Sequence, residues 1–489
     1  MSRRKKLKYS MSIMGLLILI LGVIMLLPMA KAYHDHDPAI YKAFFLTSVC
    51  SILIGIFTSY GFKKNKDITL RPSDAYTLLT LGWIAASLLT ALPFLLSNFS
   101  PTPASAIFES VSGLTTTSST ASSASHFPES IILYKALLNY VGGLGLMLLL
   151  IAFLSIDRNS QTLARLEAAG PRLIKLTSKM SDTARIIYAT YAVFTAAEFL
   201  LLMLFPKMRA FEAFVNSLTS ISTGGLFNKS FGLYHLGHWY VDIVISVFTI
   251  IGSVNFLLYY FLIKGKLKKF FANIELLWYI KFIVAFTLII AVILYGFDTF
   301  DSPFRCIKAS FVQVTSTIST TGIPFYNYST WPATAKLLLT ALAFIGSCSI
   351  STGGSIKIIR ILIYVKMIYR GFLKRAHPRL VVPLTIGGKP VEAPIVSAVS
   401  AFILAFIGIF ILGGIVLSFS GLYVGEAFST SISMLSNSGI SFSKRFMTGD
   451  YSCLSGSFKL FLSLLMLLGR LELFPILILL MPSFLKKDN

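Results

Sequence analysis

Four short polar stretches, each lying between two long apolar segments, constrain this chain more than any other feature of its sequence. Each stretch begins with a phenylalanine in an amphipathic segment and ends ten or eleven residues later in a tetrad rich in Ser, Thr, Asn and Gly. The tetrads occupy residues 115–118, 221–224, 319–322 and 436–439. Hydrocarbon cannot hydrogen-bond a backbone, so non-helical segments at membrane depth persist only when protein buries them or when they line a water-filled cavity. Four such segments in one chain predict four walls of a single pore.

The composition indicates a polytopic membrane protein, because 55% of the 489 residues are hydrophobic and only 13% are charged. Apolar runs long enough for a helical span of about 20 residues occur near 10–30, 43–61, 73–96, 130–155, 183–205, 239–263, 275–297, 332–370, 392–418 and 456–481. The eighth run is too long for one crossing. Its Gly- and Ser-rich middle, 346–354, predicts one broken helix.

The formal net charge of +23 is distributed in a pattern that topology explains. Lysine and arginine gather in alternate loops and at both ends of the chain, at 3–8, 63–66, 158–179, 264–269, 357–389 and 486–487. The positive-inside rule places these groups and both termini on the cytoplasmic side, and all four tetrads on the outer side. Binding of nucleic acid is therefore not needed to explain the charge.

Cysteine and histidine give little evidence of a further site. The four cysteines show no C-x-x-C spacing, so neither a disulfide framework nor a metal knuckle is indicated. The sequence His-Asp-His-Asp at 34–37 fits either a metal-binding cluster or a solvated turn at the end of the first span.

The tetrads end at residues 118, 224, 322 and 439, which gives a repeat of about one hundred residues. Each unit reads as a helix, a re-entrant half-helix, an extended polar strand and a second helix. We predict an all-α polytopic membrane protein in which an N-terminal two-helix hairpin precedes four pseudo-fourfold repeats around one ion pore. The predicted boundaries are 1–68 for the hairpin and 69–160, 161–270, 271–376 and 377–489 for the units.

The tetrads carry no charge and offer oxygen atoms. Rings of backbone carbonyls and hydroxyls replace the hydration shell of a monovalent cation in potassium filters. The C-terminal end of each half-helix carries a partial negative charge that favours a cation, and glycine at a tetrad end can take positive φ. A divalent pore is expected to show carboxylate rings, and the tetrads contain none.

Three acids lie near the outer parts of the half-helices: Glu109, Glu212 and Glu426. They either draw cations toward the mouth or complement a helix N-terminus.

Further motifs follow the tetrads in a fixed order. They are Gly-Gly-Leu-Gly at 142–145, Gly-Ser-Val-Asn-Phe at 252–256, Ser-Thr-Gly-Gly-Ser-Ile-Lys at 351–357, His-Pro at 377–378 and Gly-Arg-Leu-Glu-Leu-Phe-Pro at 469–475. Over essentially its whole length the chain resembles the TrkH/TrkG and KtrB potassium uptake proteins, whose superfamily includes the plant HKT transporters. The extra N-terminal hairpin is similar to TrkH rather than to the shorter KtrB.

The resemblance implies that the tetrads form a K⁺ selectivity filter. The implied filter residues are Thr116, Thr117, Ser118, Ser222, Thr223, Gly224, Thr320, Thr321, Gly322, Asn437, Ser438 and Gly439. Ser118 departs from the family pattern, which has glycine there, and in plant relatives a serine at this position accompanies Na⁺ transport. The resemblance thus implies K⁺ transport with relaxed discrimination against Na⁺.

The resemblance also implies that the interrupted eighth span is an intramembrane gating loop beneath the filter. The implied gate residues are Gly346, Ser351, Thr352, Gly353, Gly354, Lys357 and Arg470. Ile350 departs from the family glycine, which predicts a stiffer loop. Two alternatives stay open: the loop is a kink that only packs helices, and Arg470 forms a structural ion pair instead of placing a positive charge in the pore.

The implied function is potassium uptake by the pore-forming, channel-like subunit of a Trk-type system in a bacterial cytoplasmic membrane. K⁺ is the transported ion, and no organic cofactor is expected. The implied partners are a second copy in a homodimer, a cytosolic TrkA-like ring of nucleotide-binding subunits and membrane lipids.

The alternatives are symport of K⁺ coupled to H⁺ or Na⁺ and a Na⁺-preferring HKT-like transporter. Coupled symport is the runner-up, because such transporters more often show inverted repeats and intramembrane acids, and Glu198 and Glu472 are the only clear acids within the apolar spans. A membrane enzyme is not expected, since the chain has no H-E-x-x-H and no G-x-S-x-G motif.

Overall fold

The computed structural model describes residues 3–61, 72–122, 127–146, 148, 180–225, 238–379, 382–439, 441–443 and 445–481. The basic groups at 63–66, 158–179 and 486–487 lie outside these residues, as do the predicted unit boundaries at 68–69 and 160–161.

The N-terminal hairpin is held together by close helix packing. Helices Arg3–Ile24 and Leu26–His34 run against Pro38–Gly61. A Cβ atom built on Gly55 would lie 2.6 Å from the Cβ of Leu19, so the two helices meet where a side chain is missing. Small residues at such contacts are typical of helix pairs in membranes, because they let the backbones approach.

Four units follow the hairpin, each with a first helix, a half-helix, a polar segment and a second helix. The first helices are Pro72–Leu96, Met180–Met203, Ile274–Gly296 and Ala393–Ser418. The half-helices are Pro103–Leu114, Ala210–Ile221, Pro303–Ile318 and Val424–Leu435. The second helices are Glu129–Leu144, Trp239–Ser253, Ala333–Leu342 and Gly456–Arg470.

The remaining elements are short or lie beyond the second helices. They are the helices Phe256–Ile263, Leu267–Phe271, Ile358–Ala376 and Phe474–Leu480, a 3₁₀ turn at Tyr328–Thr330 and an antiparallel pair of strands, Thr385–Ile386 with Lys389–Pro390. Within the described ranges, six helices are long and apolar enough to cross a membrane, or up to eight if each of two bent pairs is one span.

The second helices break, and the sequence predicted this for only one of them. Instead of continuous helices at 239–263 and 456–481, the structure bends by 97° between Ser253 and Phe256 and by 115° between Arg470 and Phe474. The side chain of Asn255 starts the new helix by accepting a hydrogen bond from the N–H of Leu257 at 2.9 Å. At the other bend, two successive residues with positive φ, Glu472 at 55° and Leu473 at 64°, turn the chain.

The second helices of the other two units are also interrupted or end early. In the third unit the helix stops at Leu342 and the chain becomes helical again at Ile358, a longer interruption than the predicted 346–354. In the first unit the helix ends at Leu144, and Gly145 follows with a φ of 98°.

Three glycines bring second helices against the ends of their own half-helices. A Cβ atom on Gly142 would lie 1.8 Å from the Leu114 carbonyl oxygen. The corresponding distances are 2.3 Å from Gly252 to the Ile221 oxygen and 2.1 Å from Gly469 to the Leu435 oxygen. No side chain fits at these distances, so the glycine motifs noted in the sequence set how closely these three second helices approach their half-helices.

Candidate functional site

Each half-helix ends in the same backbone turn, which the sequence did not reveal. We call the four turns the ring segments; they are residues 115–118, 222–225, 319–322 and 436–439. Their second residues all have φ between 53° and 59°, and their fourth residues have φ between 54° and 75°. The second residues are Thr116, Thr223, Thr320 and Asn437, and the fourth residues are Ser118, Gly225, Gly322 and Gly439.

One carbonyl of the half-helix organises each turn by accepting two hydrogen bonds from the ring segment. The Ser112 oxygen accepts from the N–H groups of Thr117 at 2.9 Å and Ser118 at 3.1 Å. The carbonyls of Thr219, Ser316 and Ser433 accept from the matching pairs in the other three units. Because these N–H groups point back to the half-helix, the ring-segment carbonyls are left for other partners.

The second ring segment lies one residue later than the predicted tetrad. Ile221 is the last residue of its half-helix, and the glycine with positive φ is Gly225, not the predicted filter glycine Gly224. Ser222 accordingly occupies the cap position that Thr115 occupies in the first unit. Two adjacent glycines made both registers compatible with the sequence. The spacing of eleven residues from Phe214 to Gly225, equal to that in the third and fourth units, was the signal that favours the observed one.

The ring segments lie edge to edge. A Cβ atom on Gly225 would be 1.9 Å from the Thr321 carbonyl oxygen, and one on Gly322 would be 1.6 Å from that of Ser438. A Cβ atom on Gly439 would be 1.9 Å from the Thr117 oxygen. The contacts thus run from the second segment to the third, to the fourth and to the first. All twelve predicted filter residues lie in these four turns. The turns bring together uncharged oxygen atoms of backbone carbonyls and side chains.

The interrupted segment 343–357 lies against the helix-side ends of three ring segments. The Gly354 N–H donates to Thr320 Oγ1 at 2.7 Å, and Thr352 Oγ1 donates to the Ile221 carbonyl at 3.2 Å. A Cβ atom on Gly354 would lie 2.3 Å from the Ser436 oxygen. The segment thus contacts the second, third and fourth units.

Buried polar groups hold this segment in place. Its base closes through a hydrogen bond from the Gly346 N–H to the Ile356 oxygen at 2.8 Å. The Lys357 ammonium donates to Ser347 Oγ at 3.1 Å and to the Gly353 carbonyl. On the other side, Glu275 accepts from the N–H of Ser349 at 2.7 Å and from its hydroxyl at 3.0 Å. Glu275 was not among the predicted gate residues.

Arg470 connects this segment to the first unit. Its guanidinium donates to the Thr352 carbonyl at 2.8 Å, to the Gly142 carbonyl at 2.5 Å and to the Gly143 carbonyl. Together with Ile350, Ser351, Gly353, Lys357 and other residues, Arg470 lines a cavity of about 40 Å³, a volume large enough for a few water molecules.

The two acids predicted within apolar spans have different environments. Glu472 pairs with Arg360 at 2.5 Å rather than with Arg470. Glu198 is fully buried and accepts a hydrogen bond from Ser220 Oγ, and its second oxygen has no hydrogen bond within the part of the chain described.

Sequence reasoning missed a buried charge cluster beside the first ring segment. Glu109 is fully buried, pairs with Lys135 at 2.7 Å, and accepts hydrogen bonds from Thr120 Oγ1 at 2.6 Å and the Ala121 N–H at 2.7 Å. It therefore fixes the chain just beyond the ring segment and does not act as an exposed acid at a mouth. Lys459 reaches the same stretch by donating to the Ala121 carbonyl at 3.3 Å. The available signal was a lysine inside each of two apolar spans.

The other two acids of this group differ from Glu109. Glu212 pairs with Arg209 at 2.9 Å near the surface. Glu426 is partly exposed in the first turn of the fourth half-helix, where it complements the helix N-terminus.

Comparison with known proteins gives a consistent result. A family profile described as "Cation transport protein", TrkH, matches residues 40–486. The "Trk system potassium uptake protein TrkH" of Salmonella typhimurium is 30% identical over 96% of this chain and 98% of its own length, and TrkG of Escherichia coli is 28% identical over 95% and 96%.

A solved structure matches as well. The crystal structure of the potassium transporter TrkH from Vibrio parahaemolyticus superposes with a TM-score of 0.88 at 27% identity, covering 99% of this chain and 100% of that one. The predicted all-α membrane fold and the predicted family are confirmed by these matches. The match to a family of cation transport proteins also confirms the prediction that the chain is not an enzyme.

The buried pair of Glu109 and Lys135 predicts a large loss of stability when one partner is removed. Lys135→Met leaves a buried carboxylate without its cation, so we expect the purified protein to lose about 3 kcal/mol or more in thermal unfolding. The exposed pair Asp301–Arg305 is the control, and Arg305→Met should cost less than about 1 kcal/mol. Equal effects of the two substitutions would contradict a structural role for the buried pair.

The edge-to-edge contact predicts that Gly322 accepts no side chain. Gly322→Ala combines the strain of positive φ with a clash against the Ser438 carbonyl, so we expect a loss of more than about 3 kcal/mol. Gly265 has a similar φ, 67° against 72°, but a Cβ atom there meets nothing within 4 Å. Gly265→Ala should therefore cost only about 1–2 kcal/mol. If both variants unfold at the same temperature, the ring segments do not touch as described.

Proposed function

The chain belongs to the TrkH family of cation transport proteins, and from this premise we propose that it is the pore-forming, channel-like subunit of a potassium uptake system. K⁺ is the proposed transported ion, and a bacterial cytoplasmic membrane is the proposed location. The observation that carries the proposal is the ring of four equivalent turns whose residues present oxygen atoms and no charge. The names of the relatives, which are potassium uptake proteins, support the choice of ion.

In this proposal the ring-segment carbonyls and hydroxyls replace water around a dehydrated K⁺. Each half-helix ends at its ring segment, so four partial negative charges face the same region and favour a cation over an anion. The register of the second segment moves the proposed ligands there to Thr223 and Gly224, which match Thr116 and Thr117 of the first segment. In the other two segments the proposed ligands are Thr320, Thr321, Asn437 and Ser438.

The segment 343–357 is the proposed gate. It lies against three ring segments and is held by Glu275, Lys357 and Arg470. Lys357 and Arg470 add positive charge directly beneath the ring, which opposes the passage of a cation in the arrangement described. We propose that conduction requires this segment to move and Arg470 to release the Thr352 carbonyl.

The assembly and topology are also proposals. The chain is proposed to form a homodimer, to dock on a cytosolic TrkA-like regulatory ring and to keep both termini in the cytoplasm. The basic cytoplasmic loops supply a surface for that ring or for acidic lipid headgroups. The four repeats are proposed to span 69–160, 161–270, 271–376 and 377–489, after the hairpin 1–68.

Flux and reversal potential test the function. The full chain should restore growth at low K⁺ to a bacterium that lacks potassium uptake, and should carry radioactive Rb⁺ into proteoliposomes. We expect a reversal potential near the K⁺ equilibrium value for a channel. A reversal potential displaced by a H⁺ or Na⁺ gradient would instead establish coupled symport, in which the buried Glu198 is a candidate proton carrier. Absence of K⁺ or Rb⁺ flux from folded protein would contradict the proposal.

The gate proposal predicts that removal of the charge at Arg470 increases flux. Arg470→Ala removes a fixed positive charge and three hydrogen bonds to carbonyls, so we expect Rb⁺ influx to rise about tenfold, equivalent to about 1.4 kcal/mol. Arg470→Lys keeps the charge and should increase Rb⁺ influx less. Arg305→Ala on the outer surface is the neutral control and should leave the influx unchanged. Unchanged conduction in Arg470→Ala would contradict the barrier role.

A further inference from the structure

We call the place where two neighbouring ring segments meet a joint. The joint between the first and second ring segments differs from the other three. At those joints the fourth residue is glycine, and a Cβ atom there would lie 1.6–1.9 Å from a carbonyl oxygen of the neighbouring segment. Ser118 holds the same position in the first segment and has the same backbone conformation, with a φ of 55°. Since Ser118 carries a Cβ atom, this joint cannot repeat the contact made by the glycines.

The second ring segment, on the other side of this joint, also differs from the others, at its third residue. In the first, third and fourth segments this residue carries a hydroxyl that hydrogen-bonds the hydroxyl of the first residue. The pairs are Thr115 with Thr117 at 2.9 Å, Ser319 with Thr321 at 2.7 Å, and Ser436 with Ser438 at 3.1 Å. In the second segment the third residue is Gly224, so this hydroxyl pair cannot form.

Asn139 fills the space that Gly224 leaves. A Cβ atom on Gly224 would lie 2.6 Å from both the amide carbon and the amide nitrogen of Asn139. Asn139 is fully buried in the second helix of the first unit, and its Nδ2 donates to Ser118 Oγ at 2.6 Å. One amide group thus contacts both exceptional residues of this joint.

We propose that Asn139 is a positioning residue for ion selectivity, acting through Ser118, with Gly224 providing the room it needs. This inference rests on the proposed function. The hydrogen bond fixes the rotamer of Ser118 so that its hydroxyl is directed to Asn139 and away from the bound ion. Coordination at this joint is then left to carbonyl oxygens, as at the other three. Without the amide, the hydroxyl can turn to the ion and act as an additional ligand on a mobile side chain.

The chemical consequence concerns Na⁺. A flexible hydroxyl can approach a smaller ion more closely than a fixed carbonyl, so its release favours Na⁺ relative to K⁺. The serine alone therefore does not set the selectivity of this chain; the pair of Ser118 and Asn139 does.

The test is a double-mutant cycle on the permeability ratio of Na⁺ to K⁺, measured from reversal potentials of the full chain in proteoliposomes. Asn139→Leu preserves the size of the side chain and removes the donor. We expect it to raise the ratio about tenfold when Ser118 is present. In the Ser118→Gly and Ser118→Ala backgrounds, which lack the hydroxyl, the same substitution should change the ratio less than twofold.

Controls separate this role from a general effect on the fold. Asn216→Leu removes an amide that donates to the Glu212 carbonyl within its own half-helix, and it should leave the ratio unchanged. Asn139→Ala, with thermal unfolding of every variant, replaces Asn139→Leu if the latter does not fold. An equal change of the ratio in all three Ser118 backgrounds, or no change in any, overturns the inference while leaving the proposed function intact. If the wild-type chain carries no K⁺, both the inference and the proposed function are wrong.

Discussion

The ring depends on a single repeated interaction, the capture of two backbone N–H groups by one half-helix carbonyl. In the first unit the Ser112 oxygen performs this task, and its counterparts do so in the other three. Two left-handed residues per turn make the geometry possible, and the carbonyls of the turn are directed elsewhere as a result. A uniform outcome from four different sequences follows because the backbone, rather than any one side chain, forms the structure.

The second helices and the interrupted segment of the third unit pack against this ring and support it. Two of the second helices bend sharply, and glycines such as Gly252 let the backbone of a second helix touch the end of its half-helix. The interrupted segment of the third unit then lies against the half-helix side of three turns. Buried Glu275, partly buried Arg470 and the segment's own buried Lys357 all hydrogen-bond within it, and because charged groups are costly to bury without partners, these bonds restrict the segment to a defined position.

The four ring segments share one backbone conformation and differ in side chains, and the first unit carries several of the differences. Glu109, Lys135 and Lys459 form a buried charged cluster beside the first ring segment. The same unit carries Ser118 in place of glycine and Asn139 as its partner. A ring built from a single chain can change one quarter independently, whereas a ring built from four identical chains must change all quarters at once.

The proposed ligands were implied by resemblance to a known family. The sequence by itself determined the membrane fold and the four polar stretches. These follow from local patterns, because hydrocarbon excludes unsatisfied backbone everywhere along the chain. Only the tertiary structure decided that Gly225 rather than Gly224 takes the left-handed position, that the second helices of the second and fourth units bend, and that Asn139 contacts Ser118. Each of these depends on whether atoms from distant parts of the chain can occupy the same space, a steric condition that no local spacing of residue types records.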